Sequence, residues 1–167
     1  EAGRFETVLS KARGVWFCGG RQWRLVDAYA DTKVERLFHG VLERGGVIGG
    51  SSAGASIQSS YMVRGNPLGN LDAMAEGYEK GFGFLPGAAV DQHFSQRGRL
   101  PDMEGLIARF PQLLGIGLDE ATAIIVAGSV AEVLGKHKAH FYFRDRRTRL
   151  AAGAYYHLGR RLELPVH

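Results

Sequence analysis

Cysteine is nearly absent from this sequence of 167 residues, in which Cys18 is the only one. An internal disulfide is therefore impossible, and the redox compartment stays open. We expect no metal site, because Asp91-Gln92-His93 offers ligand types but no second histidine or cysteine at close spacing. We expect no cofactor either, since the glycine-rich stretches do not match the phosphate-binding pattern G-x-x-x-x-G-K-S/T.

Long hydrophobic runs are also absent. No apolar stretch approaches the ~20 residues that a membrane span needs, and no secretory signal is visible at the N-terminus. We therefore expect no membrane partner and a cytoplasmic location. The net charge is +4, with basic residues spread out except in residues 144–149 (RDRRTR). We interpret that run as a solvated turn and expect no nucleic-acid partner, because no aromatic platform accompanies it.

Glycine, by contrast, is abundant, with 24 residues, and predicts many tight turns. The length predicts a single α/β domain over residues 1–167. The apolar patterns predict a buried parallel strand at 14–18, one long helix or two short ones over 23–44, and a long loop over 61–81. Two further runs, 121–127 and 130–134, predict a β-hairpin.

Residues 49–55 (GGSSAGA) form the most informative stretch. They contain G-x-S-x-G with Ser52 at its centre, after a short apolar run and before a helix start, which is the pattern of a nucleophile elbow. Gly50 and Gly54 allow the tight turn that exposes the hydroxyl group and leaves N–H groups at a helix N-terminus. The alternative is a glycine-rich turn in which Ser52 is an N-cap.

Polar residues follow several of the predicted strands, namely Gln22, Ser52, His93 and Glu120. Ligands bind at that edge of open α/β sheets. A serine nucleophile needs a base and a third group that orients the base. We predict His93 as the base and Glu120 as the orienting acid. The rival acids are Asp72, Asp91 and Asp119.

The same edge offers groups for transition-state and substrate binding. An oxyanion hole would use the N–H of Ala53 with that of Gly19 or Gly20, although these glycines also fit a plain turn. Arg97 and Arg99 suit a substrate carboxylate, or are ordinary surface charges. The amide side chains expected around the site are Gln22 and Gln92.

Four stretches in this order resemble the cyanophycinase family of serine peptidases, which is related to the aspartyl dipeptidase peptidase E: 50–55 (GSSAGA), 83–87 (GFLPG), 91–99 (DQHFSQRGR) and 117–123 (GLDEATA). The resemblance implies a class I glutamine-amidotransferase-like fold, with a largely parallel sheet between helices and a C-terminal β-hairpin region. It places the catalytic triad on Ser52, His93 and Glu120. The family's glycine-loop glutamine falls on Gln22, and its substrate-contacting positions fall on Asp91, Gln92, Arg97 and Arg99.

The implied activity is hydrolysis of cyanophycin, a polyaspartate with arginine on each side-chain carboxyl group, or of related β-aspartyl peptides, and we expect a homodimer. Pro101 and Asp102 stand where the family carries a further arginine, and the family's first strands are absent, so we expect an N-terminal portion to be missing. The alternatives are an aspartyl dipeptidase and an inactive scaffold. An α/β-hydrolase esterase runs in the order serine, acid, histidine and would need His157.

Overall fold

The structure is a computed structural model that describes residues 2–165. Glu1, Val166 and His167 lie outside the described residues, so both ends of the predicted domain do as well. The chain divides into two compact units, Glu1–Pro86 and Gly87–His167. The single domain over residues 1–167 stays a prediction.

The first unit alternates helices and strands. Its elements are α1 (Ala2–Lys11), β1 (Gly14–Phe17), α2 (Gln22–Tyr29), α3 (Lys33–Glu43), β2 (Val47–Gly50), α4 (Ala53–Ser56) and β3 (Ser59–Tyr61). β1 and β2 pair in parallel, with Phe17 opposite Gly50. The hydrophobic core of this unit contains Leu9, Phe17, Phe38, Val41, Ile57, Met62 and Phe82.

The helical pattern over residues 23–44 forms two helices, α2 and α3. Thr32 begins α3, because its side-chain oxygen accepts the N–H groups of Val34 (3.2 Å) and Glu35 (3.3 Å). The Glu35 carboxylate in turn accepts the N–H of Asp31 at 2.6 Å, and Asp31 has a positive φ of 59°. This reciprocal capping ends one helix and starts the next.

The strand predicted at residues 14–18 is β1, and its parallel pairing is confirmed. Its burial is not, because only Phe17 is buried, whereas the side chain of Trp16 is 65% exposed. Val47 on β2 is 69% exposed. The Trp16 ring covers Gly49, where a Cβ would lie 2.6 Å from the ring. An apolar run therefore identified the strand, but one of its faces is open in the part of the chain that the structure describes.

The long loop predicted over residues 61–81 is confirmed, except that Tyr61 ends β3 and forms an isolated bridge with Lys80. One half-buried and one buried arginine bind its backbone. Arg21 Nη2 donates to the carbonyl groups of Asn66 and Gly69, both at 2.7 Å. Arg64, which is 2% exposed, donates to the carbonyl groups of Asn70 (3.2 Å) and Leu71 (2.7 Å). The loop satisfies its backbone through these arginines together with hydrogen bonds across the loop, from Met62 N–H to Glu79 O at 2.7 Å and from Arg64 N–H to Ala73 O at 3.0 Å.

The second unit is richer in strands. Its elements are β4 (Leu85–Gln92, which begins just before the unit boundary), α5 (Leu100–Arg109), β5 (Leu114–Leu118), β6 (Thr122–Ala127), β7 (Val130–Gly135), β8 (Ala139–Phe143), β9 (Arg146–Leu150), β10 (Tyr155–His157) and β11 (Leu162–Leu164). β4, β5, β8 and β9 lie in that order in one sheet, and β11, β10, β7 and β6 in another. The predicted hairpin is confirmed as β6–β7.

The α/β class is confirmed, but the prediction of a largely parallel sheet is wrong. Among the seven strand pairs whose register is defined within residues 2–165, β1–β2 and β4–β5 are parallel and five are antiparallel. The reason is local, since the very short β6–β7 and β8–β9 connections permit only antiparallel pairing. The class I glutamine-amidotransferase-like architecture and the missing N-terminal strands stay predictions.

The arginine-rich run at 144–149 is another correction. Only Arg144 and Asp145 form a turn, and β9 begins at Arg146 and pairs with β8. Charged side chains are common on edge strands, where they discourage pairing with other chains. The composition therefore resembled that of a solvated loop although the backbone is extended.

Candidate active site

Ser52 lies at the turn between β2 and α4, as the elbow pattern predicts. Its backbone angles are φ 53° and ψ −118°, a conformation that non-glycine residues rarely adopt. Its side chain makes no capping hydrogen bond to α4, so the N-cap alternative does not account for it. Backbone strain of this kind is found at functional sites, where surrounding structure holds it in place.

Gly50 and Gly54 are required by the close approach of three backbone segments. A Cβ at Gly50 would overlap the Gly54 carbonyl group, and one at Gly54 would overlap the Phe17 carbonyl group at the end of β1. Ser51 N–H donates to Phe17 O at 3.1 Å, and Gly54 N–H donates to Ser51 O at 2.9 Å. The elbow thus packs directly against β1, and both glycines of the motif have a steric reason.

We expect Gly54→Ala to lower the free energy of unfolding by about 3 kcal/mol or more, because the backbone would have to move to admit the methyl group. Urea unfolding of the two proteins measures this difference. Gly3→Ala in α1 is the control, since a Cβ there meets nothing within 4 Å. A Gly54→Ala protein as stable as the wild type would contradict the packing of the elbow on β1.

The predicted oxyanion-hole residues lie at two places in the first unit. Gly19 follows β1 and approaches the nucleophile position, since a Cβ on it would lie 3.3 Å from Ser52 Cβ and 3.9 Å from Ser52 Oγ. Gly20 has φ 138°, and Ala53 is the first residue of α4. Among the described residues, the N–H groups of these three make no backbone hydrogen bond. The structure therefore brings Gly19 and Ala53 to Ser52 and keeps amide donors there.

Gln22 has a structural contact. It is 3% exposed, and its Nε2 donates to Val63 O at 3.3 Å at the start of the long loop. Next to it, Arg21 binds the same loop further along. Gln22 thus anchors the loop, and its contact with a substrate stays a prediction.

His93 and Glu120 form a close pair within the second unit. His93 Nδ1 lies 2.8 Å from Glu120 Oε1, and the two side chains are 26% and 53% exposed. His93 follows β4 and has a positive φ of 50°. A carboxylate at Nδ1 favours the tautomer that carries its proton there and leaves Nε2 as a base. The predicted base and acid are therefore together, in the arrangement that serine catalysis uses.

Asp119, a rival acid, has other partners. Its Oδ1 accepts the N–H of Ser95 at 3.0 Å and contacts His140 Nε2 at 3.1 Å, while Oδ2 accepts the N–H of Lys138 at 3.1 Å. Burial raises the pKa of Asp119, but the hydrogen bonds from Ser95, His140 and Lys138 outweigh it and hold the pKa below its usual value. This buried carboxylate connects three segments of the second unit.

Asp91 and Arg99 pair with each other. Arg99 Nη1 donates to Asp91 Oδ1 and to Gln92 O, both at 2.7 Å, and both side chains of the ion pair are at most 5% exposed. Their mutual pairing accounts for both residues without a substrate, so their substrate role stays a prediction. Arg97, by contrast, is exposed, one turn after His93.

The remaining rivals lie elsewhere in their units. Asp72 accepts a hydrogen bond from Asn66 Nδ2 at 3.2 Å within the long loop. His157 Nδ1 accepts the N–H of Arg160 at 3.2 Å on β10 and its turn.

Sequence reasoning missed Gln96, whose Oε1 accepts the N–H of Glu120 at 3.0 Å. Only its position between His93 and the arginines could have indicated it.

A model of peptidase family S51 matches residues 2–134 of this chain. Among curated proteins, a cyanophycinase of Geminocystis herdmanii is 33% identical over 135 residues, which cover 79% of this chain and 50% of that protein. A cyanophycinase of a Nostoc species is 34% identical over 140 residues, covering 81% and 47%. The chain therefore spans about half the length of these curated relatives.

Solved structures share the fold. A peptidase from an acI-B1 Actinobacterium superimposes with a TM-score of 0.71 at 24% identity, covering 94% of this chain and 64% of that one. A putative peptidase E from Listeria monocytogenes superimposes with a TM-score of 0.54 at 15% identity, covering 90% and 65%. The family model matches residues 2–134, which are most of the chain, and the cyanophycinase relatives agree with it. The chain therefore belongs to peptidase family S51.

Proposed function

We propose that this chain carries a serine peptidase site in which Ser52 is the nucleophile, His93 the base and Glu120 the acid that orients the base. The observation that carries the proposal is the contact of 2.8 Å between His93 Nδ1 and Glu120 Oε1. With this pair, the catalytic residues follow the chain in the order serine, histidine, acid, whereas an α/β-hydrolase has the order serine, acid, histidine. The strained backbone at Ser52 supports the nucleophile.

In this mechanism His93 Nε2 takes the hydroxyl proton of Ser52 while Oγ attacks the carbonyl carbon of the scissile amide. The N–H of Ala53 and that of Gly19 or Gly20 stabilise the resulting oxyanion. His93 then gives its proton to the leaving amine, and an acyl-enzyme remains on Ser52. Water, deprotonated by the same histidine, hydrolyses the ester and restores the serine.

The substrate that we propose is a β-aspartyl-arginine linkage of cyanophycin, or a related isoaspartyl peptide. The curated relatives named above are cyanophycinases. In a β-aspartyl dipeptide the aspartyl residue carries a free α-carboxylate close to the scissile amide, whereas in an α-aspartyl dipeptide that carboxyl group is part of the amide. Arg97 is the exposed cation near His93 that suits this carboxylate, since the Nη1 of Arg99 is bound to Asp91 and Gln92.

Incubation with cyanophycin and with a panel of α- and β-aspartyl dipeptides tests this function. We expect release of free arginine from cyanophycin and cleavage of β-linked dipeptides, including β-aspartyl-arginine. Cleavage restricted to α-aspartyl dipeptides would instead favour an aspartyl dipeptidase. No cleavage and no labelling of Ser52 by a serine-reactive phosphonate would favour an inactive scaffold.

Arg97→Ala should reduce the preference for β-linked over α-linked substrates about tenfold, because one charge-assisted hydrogen bond to the α-carboxylate is lost. The ratio of kcat/KM values for the two linkages measures this. Arg109→Ala, which removes an exposed arginine on α5, is the matched control and should leave the ratio unchanged. An unchanged ratio in Arg97→Ala would exclude this arginine as the carboxylate contact.

The homodimer and the cytoplasmic location stay predictions. No helix within the described residues is long and apolar enough to cross a membrane.

A further inference from the structure

We propose that Gln96 is a positioning residue that holds Glu120 against His93; its catalytic meaning rests on the proposed function. Gln96 Oε1 accepts the backbone N–H of Glu120 at 3.0 Å. The carboxylate of the same Glu120 lies 2.8 Å from His93 Nδ1. Gln96, which lies three residues after His93, therefore holds the backbone of the acid that orients His93.

This bond belongs to a set that connects residues 93–96 with residues 118–120. Phe94 N–H donates to Leu118 O at 3.1 Å, and Ser95 N–H donates to Asp119 Oδ1 at 3.0 Å. The bond from Glu120 to Gln96 continues the series by one residue on each segment. The two segments are thus aligned step by step, and Gln96 makes the last connection before the chain turns away at Ala121, which has φ 53°.

The members of this set differ in burial. Phe94 and Asp119 are buried, and Phe94 packs on Gly117, where a Cβ would overlap its ring. Gln96 and Glu120 are exposed. The buried bonds hold the segments together, and Thr122 Oγ1, which donates to Glu120 O at 3.4 Å, holds the carbonyl side of the acid. The Gln96 bond holds the N–H side, at the peptide group from which the Glu120 side chain starts.

An exposed glutamine is also a clean experimental probe. Its removal creates no cavity in the core and leaves the anchors at Phe94 and Asp119 in place. Gln96→Ala should therefore fold normally while the contact between Glu120 and His93 Nδ1 becomes less populated. Gln96→Glu keeps an oxygen acceptor at the same position and should restore the contact. Gln112→Ala, an exposed glutamine before β5, is the matched control.

The direct readout is the tautomer of His93, measured by NMR of protein with ¹⁵N-labelled histidine at about pH 8.5, well above the ordinary histidine pKa. The His93 signals are assigned by their loss in His93→Asn. We expect the Nδ1–H tautomer in the wild type, Gln96→Glu and Gln112→Ala. In Gln96→Ala we expect a shift toward the Nε2–H form, which the side chain of free histidine prefers. With β-aspartyl-arginine as substrate, kcat of Gln96→Ala should fall about tenfold with KM nearly unchanged.

The tautomer of His93 tests the positioning role of Gln96 whether or not the protein cleaves any peptide. A His93 tautomer that is the same in the wild type and Gln96→Ala would overturn the positioning role, even if thermal stability or kcat fell. A shift in Gln96→Ala that Gln96→Glu reverses would support it. If the wild type cleaved no peptide of the panel while the tautomer shifted, the proposed function would fail and the positioning of His93 by Gln96 would stand.

Discussion

Ser52→Ala should reduce peptide hydrolysis about 10⁴-fold or more, with the fold intact. The alanine removes only the attacking oxygen, and the residue sits on a turn whose geometry is set by Gly50, Gly54 and the end of β1. Binding groups and oxyanion donors remain, so KM should change far less than kcat. Initial rates with β-aspartyl-arginine, together with circular dichroism, measure both parts of this result.

Ser51→Ala is the matched control for the nucleophile. Ser51 precedes Ser52 in the same turn, is exposed, and contributes its backbone N–H and carbonyl to the elbow, both of which alanine keeps. Its rate should stay within a few fold of the wild type, in line with ordinary surface substitutions. Equal activity of the Ser51→Ala and Ser52→Ala proteins would show that Ser52 is not the nucleophile.

The elbow and the pair of His93 with Glu120 could be predicted because their signals are local. The G-x-S-x-G pattern requires glycine on both sides of the serine. In the structure a Cβ at Gly50 or at Gly54 would overlap a neighbouring backbone carbonyl group. His93 and Glu120 each follow a strand, β4 and β5, and these strands pair in parallel. Parallel neighbours bring the ends of their strands to one edge, so the two side chains could be expected to meet.

The partners of the arginines could not be predicted in the same way. Arg99 and Asp91 are eight residues apart, and no short-range pattern indicates that the guanidinium turns back to a buried carboxylate. Arg21 and Arg64 bind loop carbonyl groups, which every sequence offers equally. The sequence therefore shows that an arginine is present but does not indicate which backbone carbonyl groups it binds.

The prediction of a largely parallel sheet was wrong for a related reason. The run of residues 144–149 was assigned by its charge, but β9 is an edge strand on which charge is compatible with pairing. Removal of this strand from the prediction also removed a hairpin, and with it the strongest indication that the sheet of the second unit is mostly antiparallel. The parallel pair β4–β5, which positions His93 and Glu120, was unaffected.

Glu120→Gln should lower kcat about 10³- to 10⁴-fold. The amide keeps the size of the side chain but loses the charge that stabilises the imidazolium formed when His93 takes the serine proton. Its NH₂ group can also face Nδ1, which would favour the tautomer with the proton on Nε2, where the base is needed. The reduced rate should persist at saturating substrate, because KM does not depend on this charge in the mechanism.

The acids adjacent in sequence or named as rivals allow the assignment to be tested sharply. Asp72→Asn should retain the wild-type kcat, since Asp72 lies in the long loop and pairs with Asn66. Asp119→Asn should lower stability, because its carboxylate accepts two backbone N–H groups and contacts His140. The decisive comparison is kcat of folded protein. A wild-type kcat in Glu120→Gln, with a large loss in Asp72→Asn or in folded Asp119→Asn, would transfer the orienting role to that aspartate.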